Sequence, residues 1–171
     1  MSVNSNVDVI NIMEIIECVE NFAREYDLFK AHDKLLIACS GGPDSMALVD
    51  IFQKLSVKYK LEIIVAHAEH GIRKESSLND AWYVKKLLRA KKIFLFFMEH
   101  LNVLEHLKTE KLSVETLARK LRYQFLRKIA KAQNATKIVT AHHLNDQAET
   151  VLQHLLRGAG TAGLSGMKAK K

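Results

Sequence analysis

Six consecutive residues, SGGPDS at positions 40–45, have the composition of a loop that binds phosphate. The two glycines allow backbone N–H groups to approach an anion, and a proline followed by an acidic residue is typical of a helix start, whose N-terminus attracts negative charge. The alternative is an ordinary strand-to-helix turn, because all of these residue types form turns. The loop lacks the Gly-Lys-Ser/Thr ending of a P-loop, which disfavours kinase and GTPase chemistry. We therefore expect an anion-binding loop made by Ser40, Gly41, Gly42, Pro43, Asp44 and Ser45.

Histidines and acidic residues follow two further apolar segments of the chain. The first group is His67, Glu69 and His70, and the second is His142, His143, Asn145 and Asp146. Zinc is one interpretation, but the sequence has no HExxH motif and its two cysteines form no CxxC pair. A nucleotide pocket is the favoured interpretation of these histidines.

The order of the apolar segments predicts the fold that positions these residues. Short apolar runs alternate with amphipathic stretches, which favours a doubly wound α/β fold: a parallel sheet with helices on both faces. The predicted strands are 35–39, 61–67, 93–99 and 137–140, and the predicted helices are 8–29, 44–55, 78–90, 101–107, 113–132 and 147–156. Ligands of such sheets bind beyond the carboxyl ends of the strands, where the polar residues lie. Trp82 is expected in the core.

Length and charge limit the classes of function. The 171 residues, 48% of them hydrophobic, suffice for one domain, and 26 Lys and Arg against 19 Asp and Glu give a net charge of +7 that attracts polyanions. Two cysteines fit a reducing, cytoplasmic compartment. The apolar runs are too short for a membrane span and the start lacks a basic signal region, so no membrane association is expected.

Four ordered blocks of sequence carry a resemblance to a known family. SGGPDS resembles the pyrophosphate loop (PP-loop) of the N-type ATP pyrophosphatases, which adenylate a nucleophile and release pyrophosphate. HAEHGIR at 67–73 resembles the HVDHGLR segment of the tRNA(Ile)-lysidine synthases, and ETLARKLRY at 115–123 and the run at 140–167 resemble two more of their motifs. Glu69 replaces a frequent Asp and Asn145 replaces a second Asp, so a metal role should fall on Asp146.

The resemblance implies a function and a set of partners. ATP would activate the C2 oxygen of the wobble cytidine in a tRNA(Ile) with a CAU anticodon, and free L-lysine would then displace AMP to form lysidine. Asp44 and Asp146 are expected to bind Mg²⁺ or to orient the reactants, and Arg119 and Arg122 to contact phosphate or the lysine carboxylate. The nucleotide is expected to contact the PP-loop residues together with His67, His70 and His142.

The extent of the chain leaves alternatives open. Residues 1–171 are interpreted as a single PP-loop catalytic domain that is incomplete at its C-terminus and lacks the tRNA-binding domains of the family. The alternatives are an ATP-binding domain that is catalytically incomplete and another adenylating PP-loop enzyme of tRNA modification. A homodimer is also left open. The run GAGTAG at 158–163 follows a predicted helix instead of a strand, so it is interpreted as a helix end and loop and not as a dinucleotide site.

Overall fold

Helices and strands alternate along the chain as the sequence predicts. The computed structural model describes residues 12–69, 76–91, 93 and 95–142. The helices in these ranges are α1 (Ile12–Glu25), α2 (Pro43–Tyr59), α3 (Ser76–Ala90), α4 (Val103–His106) and α5 (Val114–Ala132), and the strands are β1 (Lys34–Ala38), β2 (Glu62–Glu69), β3 (Phe96–His100) and β4 (Lys137–Thr140). The predicted helix at 147–156 lies outside the described residues. Most of the other predicted boundaries differ from the observed ones by one to four residues.

The four strands form one parallel sheet in the order β3-β2-β1-β4. The chain passes from β1 outward to β2 and β3, and then returns across the sheet to place β4 on the other side of β1. The direction of the connections therefore reverses between β1 and β4. In open α/β sheets such a switch point leaves a crevice at the carboxyl ends of the strands, and ligands bind there.

Helices cover both faces of the sheet, as predicted. Side chains of β1 alternate between the faces: Leu35 and Ile37 pack in one core with residues of α2 and α3, whereas Leu36 packs in a second core with residues of α5. These three side chains have no exposed surface. Burying a side chain of this kind contributes about 1.5–3 kcal/mol, so the two cores hold β1 firmly from both sides.

Local sequence accounts for the starts of the two long helices. Ser113 caps α5, because its hydroxyl accepts a hydrogen bond from the backbone N–H of Thr116 at 3.2 Å. Pro43 begins α2 and Gly42 occupies its N-cap position, where no side chain makes a capping hydrogen bond. The N-terminal end of α2 therefore presents backbone N–H groups that a bound anion can satisfy.

A buried carboxylate joins α1 to α2. Glu20 accepts hydrogen bonds from the Lys58 ammonium at 2.5 Å, the Tyr59 hydroxyl at 2.6 Å and the Arg24 guanidinium at 3.2 Å. The bond from Lys58 is the main reason that the pKa of Glu20 lies below its usual value, and Tyr59 adds to the effect. Glu20 is thus ionised and paired in the folded protein.

One core prediction is wrong. Trp82 lies on the outer surface of α3 with 66% of its area exposed, because the buried side of that helix is formed by Val84 and Leu88 instead. The apolar pattern of α3 is short, and by residue type alone a tryptophan on the outer side of the helix is indistinguishable from a core residue. In the part of the chain that the structure describes, no helix is both long and apolar enough to cross a membrane.

Candidate functional site

An open pocket lies at the switch point of the sheet. Its volume is about 520 Å³, including the space open to solvent. It is lined by residues that follow β1 and β4, by the end of β2 and by one side of α5: Ala38, Cys39, Ser40, Ser45, Ala66, Ala68, Arg122, Leu126, Thr140, Ala141 and His142. The pocket therefore lies where the topology predicts a ligand.

The loop at 40–45, called the phosphate loop below, depends on a glycine at position 41. Gly41 has a φ of +86°, in the left-handed region that favours glycine. A Cβ added there would lie only 2.9 Å from the Val84 Cγ2 of α3. Both the backbone conformation and the contact with α3 thus disfavour a side chain at position 41, and the loop lies tightly against that helix.

Ser45 holds the phosphate loop together from inside. Its buried hydroxyl donates to the carbonyl oxygen of Gly42 at 2.9 Å and accepts from the backbone N–H and the hydroxyl of Ser40 at 3.2 and 3.1 Å. A serine hydroxyl has one hydrogen and two lone pairs, so these three bonds use its full capacity. The structure therefore gives Ser45, predicted as a nucleotide contact, a loop-bracing role in the conformation described.

His67 does not line the pocket, but it bonds to the residue that precedes the phosphate loop. It is buried in β2, and its Nδ1 donates to the carbonyl oxygen of Cys39 at 2.8 Å. Because a carbonyl oxygen only accepts, Nδ1 carries a hydrogen. This bond joins the end of β1 to β2 directly before the phosphate loop begins.

The two predicted arginines of α5 occupy different positions. Arg122 lines the pocket, and its guanidinium carbon lies 5.5 Å from the ring centroid of Tyr123. Arg119 is exposed, and its guanidinium carbon lies 5.3 Å from the same ring. Tyr123 thus contacts two cations. Of the two, Arg122 is placed to contact a ligand in the pocket.

The remaining predicted site residues lie at the edge of the pocket or outside the described part of the chain. His142 is exposed and lines the pocket. Asp44, within the phosphate loop, is exposed in the first turn of α2. His70 and Asp146 lie outside the described residues, as does the run at 158–163. Among the residues that the structure describes, no group of three or more His, Cys, Asp or Glu side chains could hold a metal ion.

Sequence reasoning missed the floor of the pocket. Ala38, Ala66 and Ala68 lie at the carboxyl ends of β1 and β2, where their small side chains leave the crevice open. The available signal was the change from large aliphatic residues to alanine toward the end of each strand. His100 was also missed, and in the structure its Nδ1 contacts the carboxylate of the buried Glu69, its neighbour across β2 and β3.

Comparisons with known proteins agree with this geometry. A family model described as a PP-loop domain matches residues 12–171. Proteins named tRNA(Ile)-lysidine synthase from Thermosipho africanus, Clostridioides difficile and Petrotoga mobilis are 44%, 39% and 40% identical to the chain, over 85%, 90% and 85% of its length. These matches cover 34%, 33% and 46% of the relatives, so the chain spans between a third and a half of their length.

The fold also matches a solved structure. The U34-tRNA thiolase NcsA from Methanococcus maripaludis superposes with a TM-score of 0.74 over 88% of this chain and 52% of that one, at 15% sequence identity. At that identity the match concerns the fold alone. Together with the phosphate loop at the switch point, the family match establishes that this chain belongs to the PP-loop family of ATP-binding domains.

Proposed function

We propose that this chain binds ATP and transfers its adenylyl group to the C2 oxygen of the wobble cytidine in a tRNA(Ile) with a CAU anticodon. Free L-lysine then displaces AMP through its amino group, and lysidine forms. The observation that carries the proposal is the phosphate loop at the switch point, in a chain 36–44% identical to tRNA(Ile)-lysidine synthases.

The positive charges around the pocket support a nucleoside triphosphate as its occupant. The backbone N–H groups at the start of α2 and the guanidinium of Arg122 approach the pocket from two sides. A helix N-terminus attracts anions, and a guanidinium forms paired hydrogen bonds to phosphate oxygens. With β and γ phosphates held by the phosphate loop, the α phosphorus faces the open side of the pocket, where a second substrate can approach.

The chemistry makes positioning the main task of these residues. The C2 oxygen of cytidine is a weak nucleophile, so the reaction needs that oxygen held in line with the α phosphorus and the leaving pyrophosphate. Holding two reactants in this way can lower the barrier by up to roughly 7–11 kcal/mol. Donors aimed at the leaving group stabilise the charge that develops on it. Arg122 and the loop backbone supply such donors.

The residues of the phosphate loop could supply one carboxylate ligand to a magnesium ion bound with ATP. Mg²⁺ is commonly held by substrate phosphates, water and one or two carboxylates. Asp44 would supply one carboxylate ligand from within the phosphate loop, and Asp146 is proposed to supply a second. When bound, the ion would neutralise phosphate charge. The compartment proposed for this reaction is the cytoplasm, where tRNA and lysine occur together.

The experiment incubates the purified chain with ATP, Mg²⁺, radiolabelled lysine and unmodified tRNA(Ile) with a CAU anticodon. Label in the RNA with equal AMP release is the expected result. Asp44→Asn should lower the rate on the order of 100-fold, the usual size of a lost electrostatic contact to the reacting group. Asp27→Asn is the matched control, since Asp27 follows α1 and its φ of +46° suits asparagine equally well.

Three other outcomes would contradict the proposal in distinct ways. ATP binding without labelled RNA would identify the chain as an ATP-binding domain that lacks the full active site. Pyrophosphate release that depends on another tRNA, without lysine transfer, would indicate a different adenylating enzyme. An unchanged rate for Asp44→Asn would remove Asp44 from the reaction.

A further inference from the structure

The outer surface of α3 carries an exposed aromatic side chain among cations. Trp82 and Tyr83 are 66% and 57% exposed, and the Lys86 ammonium lies 5.6 Å from the centroid of the Trp82 ring. Lys85 and Arg89 are exposed on the same helix. From position 82 to 90 the sequence contains no acidic residue. This surface therefore combines exposed aromatic rings with positive charge.

Packing of the core does not explain the exposed tryptophan of α3. Val84 and Leu88 already supply the buried side of α3, so Trp82 adds nothing to the core. Large contiguous patches of exposed apolar surface are uncommon on monomeric proteins, and they mark interaction sites. The patch formed by Trp82, Tyr83, Lys85, Lys86 and Arg89 is called the α3 patch below.

The α3 patch lies close to the pocket. Val84, on the opposite side of the same helix, meets the phosphate loop at Gly41. An α-helix with its side chains is about 10–12 Å wide, which is less than the length of two or three nucleotides of extended RNA. A strand that contacts the α3 patch can therefore continue toward the phosphate loop.

We propose that the α3 patch binds unpaired nucleotides of the RNA substrate, with a base stacked on Trp82 and the neighbouring phosphates paired with Lys85, Lys86 and Arg89. This inference rests on the proposed function, because it names where the RNA of that reaction is held. Charge complementarity and the aromatic ring together favour single-stranded RNA. Its phosphates can form ion pairs with the cations, and an unpaired base can stack on the indole ring. Paired bases are already stacked and offer only their phosphates.

Trp82 is the single tryptophan of the chain, so its fluorescence reports on the α3 patch directly. The chain is titrated with an anticodon stem-loop RNA reading CAU and with a fully paired RNA duplex of the same length, and occupancy is measured separately by filter binding. The stem-loop should quench the tryptophan emission and shield it from acrylamide. The duplex at equal occupancy should leave the emission unchanged.

Variants separate stacking from charge. Trp82→Ala should weaken stem-loop binding about tenfold, while Trp82→Phe retains most of the affinity. Tyr26→Ala is the matched aromatic control, because Tyr26 is 47% exposed and lies directly after α1, outside the α3 patch. Lys86→Ala should reduce the salt dependence of binding, and Lys54→Ala, an exposed lysine of α2, serves as its control. ATP affinity should be unchanged in all four alanine variants.

The outcomes distinguish this inference from the proposed function. Stem-loop binding without a change in tryptophan emission, or with full affinity in Trp82→Ala, overturns the α3 patch as the RNA site and leaves the proposed function standing. If the chain binds ATP but binds neither the stem-loop nor the duplex, both this inference and the proposed function are overturned. Quenching by the stem-loop together with the loss in Trp82→Ala supports the inference.

Discussion

Replacing Gly41 with alanine should destabilise the phosphate loop in two separable ways. A φ of +86° is unfavourable for a residue with a Cβ, at a cost of about 1–2 kcal/mol. The new methyl group would also lie 2.9 Å from Val84 Cγ2, and overpacking of this kind costs about 1–3 kcal/mol. Alanine restricts the unfolded chain, which returns about 0.4–1 kcal/mol. The net loss in the free energy of unfolding is therefore about 1–5 kcal/mol, with a central value of about 3 kcal/mol.

Gly42→Ala is the matched control. Gly42 has a φ of −72°, and its added Cβ would meet the Ser40 hydroxyl oxygen at 3.4 Å, close to an ordinary contact. Its stability should change by less than about 1 kcal/mol. Urea unfolding followed by circular dichroism measures both variants. Domains of this size are stable by about 5–15 kcal/mol, so Gly41→Ala remains folded in water and its ATP affinity can be measured as well.

A double variant tests the origin of the loss. Val84→Ala removes the atom that the new methyl group meets, so Gly41→Ala combined with Val84→Ala should lose less stability than the sum of the two single variants, by about 1–2 kcal/mol. The backbone strain at position 41 remains in both. Strict additivity, or equal stability of Gly41→Ala and Gly42→Ala, would refute the reasoning about this loop.

Two further predictions concern buried polar groups. Ser45→Ala removes the hydroxyl that joins Ser40 to the Gly42 carbonyl, so the free energy of unfolding should fall by about 1–3 kcal/mol and ATP binding should weaken. Ser56→Ala removes only a bond to the carbonyl of Gln53 within α2 and should have little effect; equal effects would contradict the bracing role. Glu20 has a pKa below its usual 4.5, chiefly because of Lys58, so it stabilises the fold above that pH and this stability is lost as the pH falls further. Glu20→Gln should therefore lower stability at about pH 7 and flatten its decline toward about pH 3.5, as measured by urea unfolding; an unchanged slope would contradict the assignment.

The fold was largely predictable because its signals are local and periodic. Apolar runs and amphipathic stretches alternate through the chain, and a parallel sheet with helices on both faces is the arrangement that buries them all. The cap of α5 is local as well, because serine is a residue type favoured at the N-cap and Ser113 directly precedes the helix. The phosphate loop was predictable for the same reason, since glycine, proline and an acidic residue at a strand-to-helix junction each have a local physical role.

What could not be predicted depends on contacts distant in sequence. Nothing near Trp82 indicates that Val84 and Leu88 already complete the buried side of α3. Similarly, Arg119 and Arg122 lie three residues apart on one helix, and only the packing of α5 on the sheet places Arg122 in the pocket. The internal bonding of Ser45 also requires the folded loop, since a serine in such a motif equally predicts a phosphate contact.

The position of β1 in the sheet has a consequence for how the protein is made. The backbone N–H of Thr136, just before β4, bonds to the carbonyl of Lys34 at 2.7 Å, and α5 covers the Leu36 side of β1. During synthesis on the ribosome, β1 emerges about a hundred residues before its neighbouring strand β4. The helix α5, which covers one side of β1, is also made only late in that interval. Until then the apolar side of β1 is open to solvent, and a nascent chain in that state is a substrate for chaperones. Slow translation between α3 and β4 would prolong that exposure.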